Sequence, residues 1–184
     1  MAVILASQSP RRKELLGLLG IPFTVRVADI DEYMDPGKPV FDEVARLSRE
    51  KALAVPRQEG DTVIAADTVV VLDGSVLGKP KDPAEAVQML TRLSGNTHEV
   101  MTGLTVLQGD RLTNHTEVTK VRFRTLTQQE IAAYVATGAP MDKAGAYGIQ
   151  SDAAATFVER LEGDYYNVVG LPVCRLHQIM EDYR

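Results

Sequence analysis

Three cations, Arg11, Arg12 and Lys13, stand just after Ser7, Ser9 and Pro10, where an apolar run from Ala2 to Ala6 gives way to a leucine-rich segment. Ser9 has the chemistry of an N-cap and Pro10 that of a first helical residue. The cations therefore fall in the first helical turn, beside unpaired N–H groups and the positive end of the dipole. Each charge is unfavourable there by roughly 0.3 to 1 kcal/mol unless an anion joins it. Fixed cations, serine hydroxyls and free backbone N–H groups at a strand end describe a phosphate or carboxylate site. The alternative is that the long side chains bend away into solvent.

A second candidate is Asp67, inside Val63-Ile64-Ala65-Ala66-Asp67-Thr68-Val69-Val70-Val71. An ionised carboxylate in such a run costs several kcal/mol if left alone. A buried Arg or Lys would make it a structural ion pair. A divalent cation or a catalytic water would make it chemical, and Asp31 or Glu32 could then supply a second carboxylate. Lys51 lies in line with the apolar stripe of a helix, and Lys79 sits between Gly78 and Pro80. Each alone reads as structural, but with Arg11, Arg12 and Lys143 they would suit a triphosphate held by point charges and forks. Gly145-Ala146-Tyr147-Gly148 would let backbone approach a flat ligand, and Gln150 offers the paired donor and acceptor that read a nucleobase edge.

Other chemistries are set aside. The chain has no G-x-x-x-x-G-K-[ST], no G-x-G-x-x-G and no G-x-S-x-G, which argues against P-loop, Rossmann and serine-elbow enzymes. Cys174 is the sole cysteine, excluding an internal disulfide and a cysteine zinc cluster, and His98, His115 and His177 lack metal-ligand spacing. A net charge of −5 argues against general nucleic-acid affinity. The first apolar run is too short for a signal peptide or membrane span, so a cytoplasmic location is the expectation. At 184 residues the chain is read as a single domain, 1–184, able to bury about 70 % of its unfolded surface.

The elements that must position these residues follow from pattern. Residues 2–6 read as a buried strand and 10–19 as a helix with Leu15, Leu16, Leu18 and Leu19 on its apolar face, closed by Gly20. Phe23 to Val27 reads as a second strand. Val40, Val44, Leu47, Lys51 and Ala54 share one helix face. Thr62 to Leu72 is the strongest strand, apolar on both faces except at Asp67 and Thr68, and Asp73-Gly74 is a hairpin turn. Asp82, Pro83 and Glu85 start a helix ending near Gly95. His98 to Leu107 and Thr116 to Arg124 read as strands, with Lys120, Arg122 and Arg124 on a solvated face. Thr127 with Glu130 opens a helix through Val135, Thr156 to Leu161 is a strand, and Leu171 to Tyr183 a closing helix.

Taken in order, Ala6-Ser7-Gln8-Ser9-Pro10-Arg11-Arg12, Ala66-Asp67-Thr68, Gly78-Lys79-Pro80 and Asp142-Lys143-Ala144-Gly145-Ala146-Tyr147-Gly148-Ile149-Gln150 resemble the motif series of the Maf family of nucleotide pyrophosphatases. Gly163-Asp164-Tyr165-Tyr166 and Gly170-Leu171-Pro172 are similar to its C-terminal signature, so the likeness covers nearly the whole chain. It implies an α/β fold with an elongated, twisted, mixed central sheet flanked by helices, and two lobes with a nucleotide cleft. It implies hydrolysis of a nucleoside triphosphate to monophosphate and pyrophosphate with a divalent cation, Mg2+ or Mn2+.

Carried over by position, Asp67 would be the proton acceptor that activates water, and Arg11, Thr68 and Gln150 would be tied to substrate choice. Ser7, Ser9, Arg12, Lys51, Lys79 and Lys143 would be phosphate-side or supporting contacts, and Glu32 with Asp67 the metal carboxylates. The Ala-Tyr-Gly-Ile-Gln form resembles the subgroup acting on dTTP and UTP, although Ser151 stands where that subgroup usually has glycine. The family is also associated with inhibition of septum formation, so a nucleotide-responsive regulator of cell division is the alternative function. A small-molecule nucleotide is the expected partner, with no nucleic acid or membrane, and a homodimer is compatible with the family.

Overall fold

The computed structural model describes residues 2–27, 29–151 and 153–183. A seven-stranded mixed sheet runs through the chain in the order β2-β1-β3-β5-β6-β7, with β4 paired to β3. The strands are β1 (Val3–Leu5), β2 (Phe23–Val25), β3 (Thr62–Leu72), β4 (Ser75–Leu77), β5 (Thr97–Gln108), β6 (Arg111–Phe123) and β7 (Val158–Glu162). The helices are α1 (Pro10–Gly17), α2 (Val40–Ala54), α3 (Pro83–Leu93), α4 (Gln128–Ala136), α5 (Tyr165–Val169) and α6 (Val173–Glu181). By packing, the chain divides into two compact units, one of residues 1–68, 102–117 and 166–184, the other of residues 69–101 and 118–165.

In the first unit β1 lies between β2 and β3, parallel to both, with Val3 opposite Phe23 and Thr62. Alternate residues of β1 and β3 feed two cores. Leu5, Ile64 and Ala66 pack with Leu15, Leu16, Leu171, Leu176 and Ile179 from α1 and the α6 region. Ile4, Ala6, Val63 and Ala65 pack with Ala52 and Val55 at the end of α2. Covering both faces is why β3 reads as an unbroken apolar run. Gly103 in β5 permits the close approach of α2: a Cβ there would lie 2.2 Å from the Val44 carbonyl oxygen.

The second unit holds the Asp73-Gly74 hairpin, with φ of 50° and 74° as a primed turn requires. It also holds a buried aromatic cluster of His98, Phe123, Tyr134, Tyr147 and Phe157 in edge-to-face contacts. The Thr127 to Glu130 capping box is complete in both directions. At α3, Asp82 accepts from Glu85 N as expected, but the Glu85 carboxylate takes Lys81 N, so only half of a capping box forms.

Several boundaries differ from the sequence reading. Leu18 is 62 % exposed because α1 ends at Gly17 and Leu18 falls in the closing turn. In α2 the buried stripe passes through Ala52, and Ala54 faces solvent. β6 starts five residues earlier than expected, because the turn at Gly109-Asp110 is tight and pairing begins at once. Residues 154–156 form a 3-10 turn before β7 begins at Val158. The closing helix begins at Val173, behind Pro172, and α5, only five residues long, has no periodicity to betray it. No helix among the described residues is long and apolar enough to cross a membrane.

Candidate active site

In the first unit the site grows from the start of α1. Ser9 caps the helix, its Oγ accepting from Arg12 N at 3.4 Å; Pro10 opens it, and the first turn carries no acidic residue. Buried Ser7 sits at the end of β1, and its Oγ accepts from Ser9 N at 3.2 Å and from Arg12 Nη1 at 3.3 Å. Arg12 also donates from Nε to the Gly170 carbonyl at 2.8 Å and from Nη2 to Thr68 Oγ1 at 3.0 Å. Its side chain does not bend into solvent. It ties β1, β3 and the entry to α6 together. Burial pulls the Arg12 pKa down, the Asp67 carboxylate opposes that, and Arg11 adds to it.

Thr68 continues this network. Its hydroxyl is 2.9 Å from Thr102 Oγ1, which donates to the Asn167 carbonyl at 3.2 Å. Guanidinium, Thr68, Thr102 and the Asn167 carbonyl thus line up as donors and acceptors, and the Thr68 hydroxyl also has the Gly170 carbonyl in reach at 3.4 Å. Sequence reasoning passed over Thr102 and Asn167; the available signal was a threonine in the apolar run Val100 to Leu107, the same signal that marked Thr68.

Of the two compensations open to Asp67, an ion pair is present. Lys51 Nζ lies 2.6 Å from Asp67 Oδ1 and 2.7 Å from Glu32 Oε1. The Lys51 and Asp67 side chains are 13 % and 12 % exposed, that of Glu32 62 %. Lys51 therefore points at a site and does not snorkel. The segment that carries Glu32 is tied to α2 by buried Glu43, which accepts from Asp35 N at 2.8 Å and from Arg46, while Arg46 Nη2 donates to the Tyr33 carbonyl at 2.7 Å. The Arg46 bond, followed by the Asp35 amide, pulls the Glu43 pKa down to about 2. Asp67 and Glu32, both held by Lys51, act on Arg12 as opposite charges, and Arg11 acts on it as a like charge, at the N-terminus of α1. Asp31 accepts from Tyr33 N and does not enter this set. Among the described residues no group of three or more His, Cys, Asp or Glu side chains is placed to hold a metal.

The second unit gathers the remaining motif residues. Gly145 N donates to the Gly78 carbonyl at 3.0 Å, which joins the loop of Lys79 to the loop of Lys143 and Gln150. Gly145 and Ala146 are both left-handed, with φ of 69° and 61°, and a Cβ on Gly145 would meet Val70 at 2.9 Å. Lys143 Nζ bonds the Ala139 carbonyl and Asp142 Oδ1, so its charge is engaged within the loop. Lys79 and Gln150 are exposed. Buried Tyr147 is hydrogen-bonded through its hydroxyl to His98 Nε2 at 2.7 Å, a pairing that no spacing in the sequence announced.

A family model described as Maf-like protein matches residues 2–183. The chain belongs to the Maf family. Among curated Maf-family relatives, the dTTP/UTP pyrophosphatase of Symbiobacterium thermophilum is 52 % identical over 182 residues, 98 % of this chain and 93 % of that one. The dTTP/UTP pyrophosphatase of Aquifex aeolicus is 48 % identical over 183 residues, 99 % of this chain and 95 % of that one. That of Geobacter sulfurreducens is 51 % identical over 185 residues, with shares of 99 % and 95 %. Among solved structures, a HAM1 protein from Coxiella burnetii aligns with a TM-score of 0.52 at 17 % identity over 99 % of this chain and 100 % of that one, a likeness of fold.

Proposed function

We propose that this Maf-family chain is a nucleoside triphosphate pyrophosphatase that hydrolyses dTTP and UTP to the monophosphate and pyrophosphate. The observation that carries the reading is the level of identity, 48 % to 52 %, to relatives named dTTP/UTP pyrophosphatase over nearly the full chain. Those names favour hydrolysis over a purely regulatory nucleotide switch in cell division.

The chemistry is coherent with the residues. Water attacks the α-phosphorus, the bond to the β-phosphate oxygen breaks, and pyrophosphate departs carrying negative charge. Asp67 accepts the proton of the attacking water, since Lys51 occupies Oδ1 and among the described residues no other side-chain partner engages the carboxylate. Arg11, Ser7, Ser9 and the α1 amides suit phosphate oxygens, and Arg12 acts as the brace that holds Ser7 and Thr68. In the first unit Lys51 is a further cation for the phosphate side; in the second, Lys79 and Lys143 carry the charge that pyrophosphate takes and Gln150 the paired donor and acceptor that suit a pyrimidine edge.

A divalent cation fits Glu32 and Asp67. Both carboxylates converge on a single cationic atom, Lys51 Nζ, and hard oxygen donors are what Mg2+ and Mn2+ take. When bound, such an ion would neutralise charge on the phosphates and acidify water. Incubation with dTTP, UTP, dCTP, GTP and 7-methyl-GTP in Mg2+ or Mn2+ tests the assignment. The reading expects pyrophosphate from dTTP and UTP first, and fails if none of the five yields it.

A further inference from the structure

Gln150 is presented by a turn whose hydrogen bonds close on themselves. The Gly148 carbonyl accepts from Ser151 N at 2.9 Å, which makes residues 148–151 a β-turn with Ile149 and Gln150 at its central positions. The turn sends Ile149 inward, 7 % exposed, and leaves Gln150 outside. Ser151 Oγ donates to the same carbonyl at 2.7 Å. On the other side Gly148 N donates to Tyr134 Oη at 3.4 Å, and that hydroxyl lies 3.4 Å from Ser151 Oγ. Read by donors, the path runs from Gly148 N–H to Tyr134, from Tyr134 to Ser151, and from Ser151 back to Gly148 C=O. Each hydroxyl accepts once and donates once, so the cycle leaves no partner unmatched.

The surroundings make this cycle stiff. Tyr134 is 3 % exposed on α4 and meets Phe157 edge to face at 5.3 Å. The Lys143 tail lies against the turn, its Cε 2.8 Å from where a Cβ on Gly148 would stand. Among the described residues only Asp73 and Ala146 are non-glycine with positive φ. Ser151 therefore sits without strain where glycine was the expectation, and its hydroxyl adds a bond that glycine cannot make.

We infer that Ser151 and Tyr134 are positioning residues for nucleobase selectivity, holding the turn that aims Gln150. The inference rests on the reading of Gln150 as the residue that meets the pyrimidine edge. A carboxamide discriminates between base edges only when its backbone is held to within a fraction of an ångström, because both its donor and its acceptor must land together.

The test is the ratio of kcat/KM for UTP over CTP in Ser151→Ala, Tyr134→Phe, Ser151→Thr and Gln150→Ala. The ratio is expected to fall about threefold to tenfold in Ser151→Ala and in Tyr134→Phe, the factor a single hydrogen bond carries, and to be retained in Ser151→Thr. If Gln150→Ala lowers the ratio while Ser151→Ala and Tyr134→Phe leave it at the wild-type value, the positioning role is overturned and the base-reading role stands. A uniform loss for both nucleotides with the ratio intact also overturns it, since that is what a merely structural role would give. If Gln150→Ala itself leaves the ratio unchanged, both roles fall.

Discussion

Lys51 Nζ on α2 lies 2.6 Å from Asp67 Oδ1 on β3, and the same nitrogen reaches Glu32 Oε1 at 2.7 Å. One ammonium thus holds two carboxylates together. Replacing it, as in Lys51→Met, leaves them facing each other. Stability should fall by about 1 to 2 kcal/mol, less than the loss for a fully buried pair because Glu32 is mostly solvated. Urea unfolding at neutral pH measures this, and wild-type stability would show that the bridge contributes nothing.

Arg12 makes three hydrogen bonds with fixed fork geometry, to Gly170 O, Ser7 Oγ and Thr68 Oγ1. A lysine at this place keeps the charge but cannot reproduce the fork. Arg12→Lys is expected to lose about 1 to 3 kcal/mol and to raise KM for nucleotide, because Ser7 and Thr68 lose their common brace. Steady-state kinetics alongside thermal melting would reveal a conservative exchange if neither changes.

At Gly103, a Cβ would stand 2.2 Å from Val44 O and 2.6 Å from Val44 C, which is backbone and cannot rotate aside. Gly103→Ala must push α2 off the sheet, and α2 carries Lys51. Overpacking of about 3 kcal/mol corresponds to a drop in Tm of roughly 6 to 12 °C. A melting temperature within a degree of wild type would mean that the helix has slack at this contact.

His98 is 1 % exposed and among the described residues its Nδ1 has no hydrogen-bond partner; burial pulls its pKa from 6.5 down to about 4. The folded chain therefore holds this ring neutral. Between about pH 6.5 and pH 4 the unfolded chain binds the proton more readily, so stability is full above pH 6.5 and is lost as pH falls through that window. The linked loss is about 3 kcal/mol at its limit. Unfolding curves at pH 7 and pH 4.5 for wild type and His98→Gln should show a flatter dependence in the variant; parallel curves would contradict it. Glu43 and Glu130, held down from 4.5 to about 2, lose their contribution between about pH 4.5 and pH 2, so the comparison between pH 7 and pH 4.5 reads mainly His98.

Local chemistry was legible and long-range pairing was not. The start of α1 is written in Ser9 and Pro10, and β3 in an eleven-residue run apolar on both faces save at Thr62, Asp67 and Thr68, because caps and burial patterns need only neighbours in sequence. Lys51 was visible as a cation on an apolar stripe, but its partner lay sixteen residues away on another element. The Thr68 to Thr102 bond, the His98 to Tyr147 bond and the Tyr134 to Ser151 closure each join residues that no periodicity relates. The short α5 escaped for the opposite reason: five residues are too few to show a period.

The central claim is hydrolysis at the α-phosphorus with Asp67 taking the proton, and 31P NMR of UTP turnover tests it most directly. In the presence of Mg2+ the wild-type chain should yield UMP and pyrophosphate in equal amounts. Asp67→Asn, nearly isosteric, should slow that reaction by about a hundredfold or more while its circular dichroism stays that of the wild type. UDP with orthophosphate as products, or an Asp67→Asn variant that turns over UTP at the wild-type rate, would contradict the account.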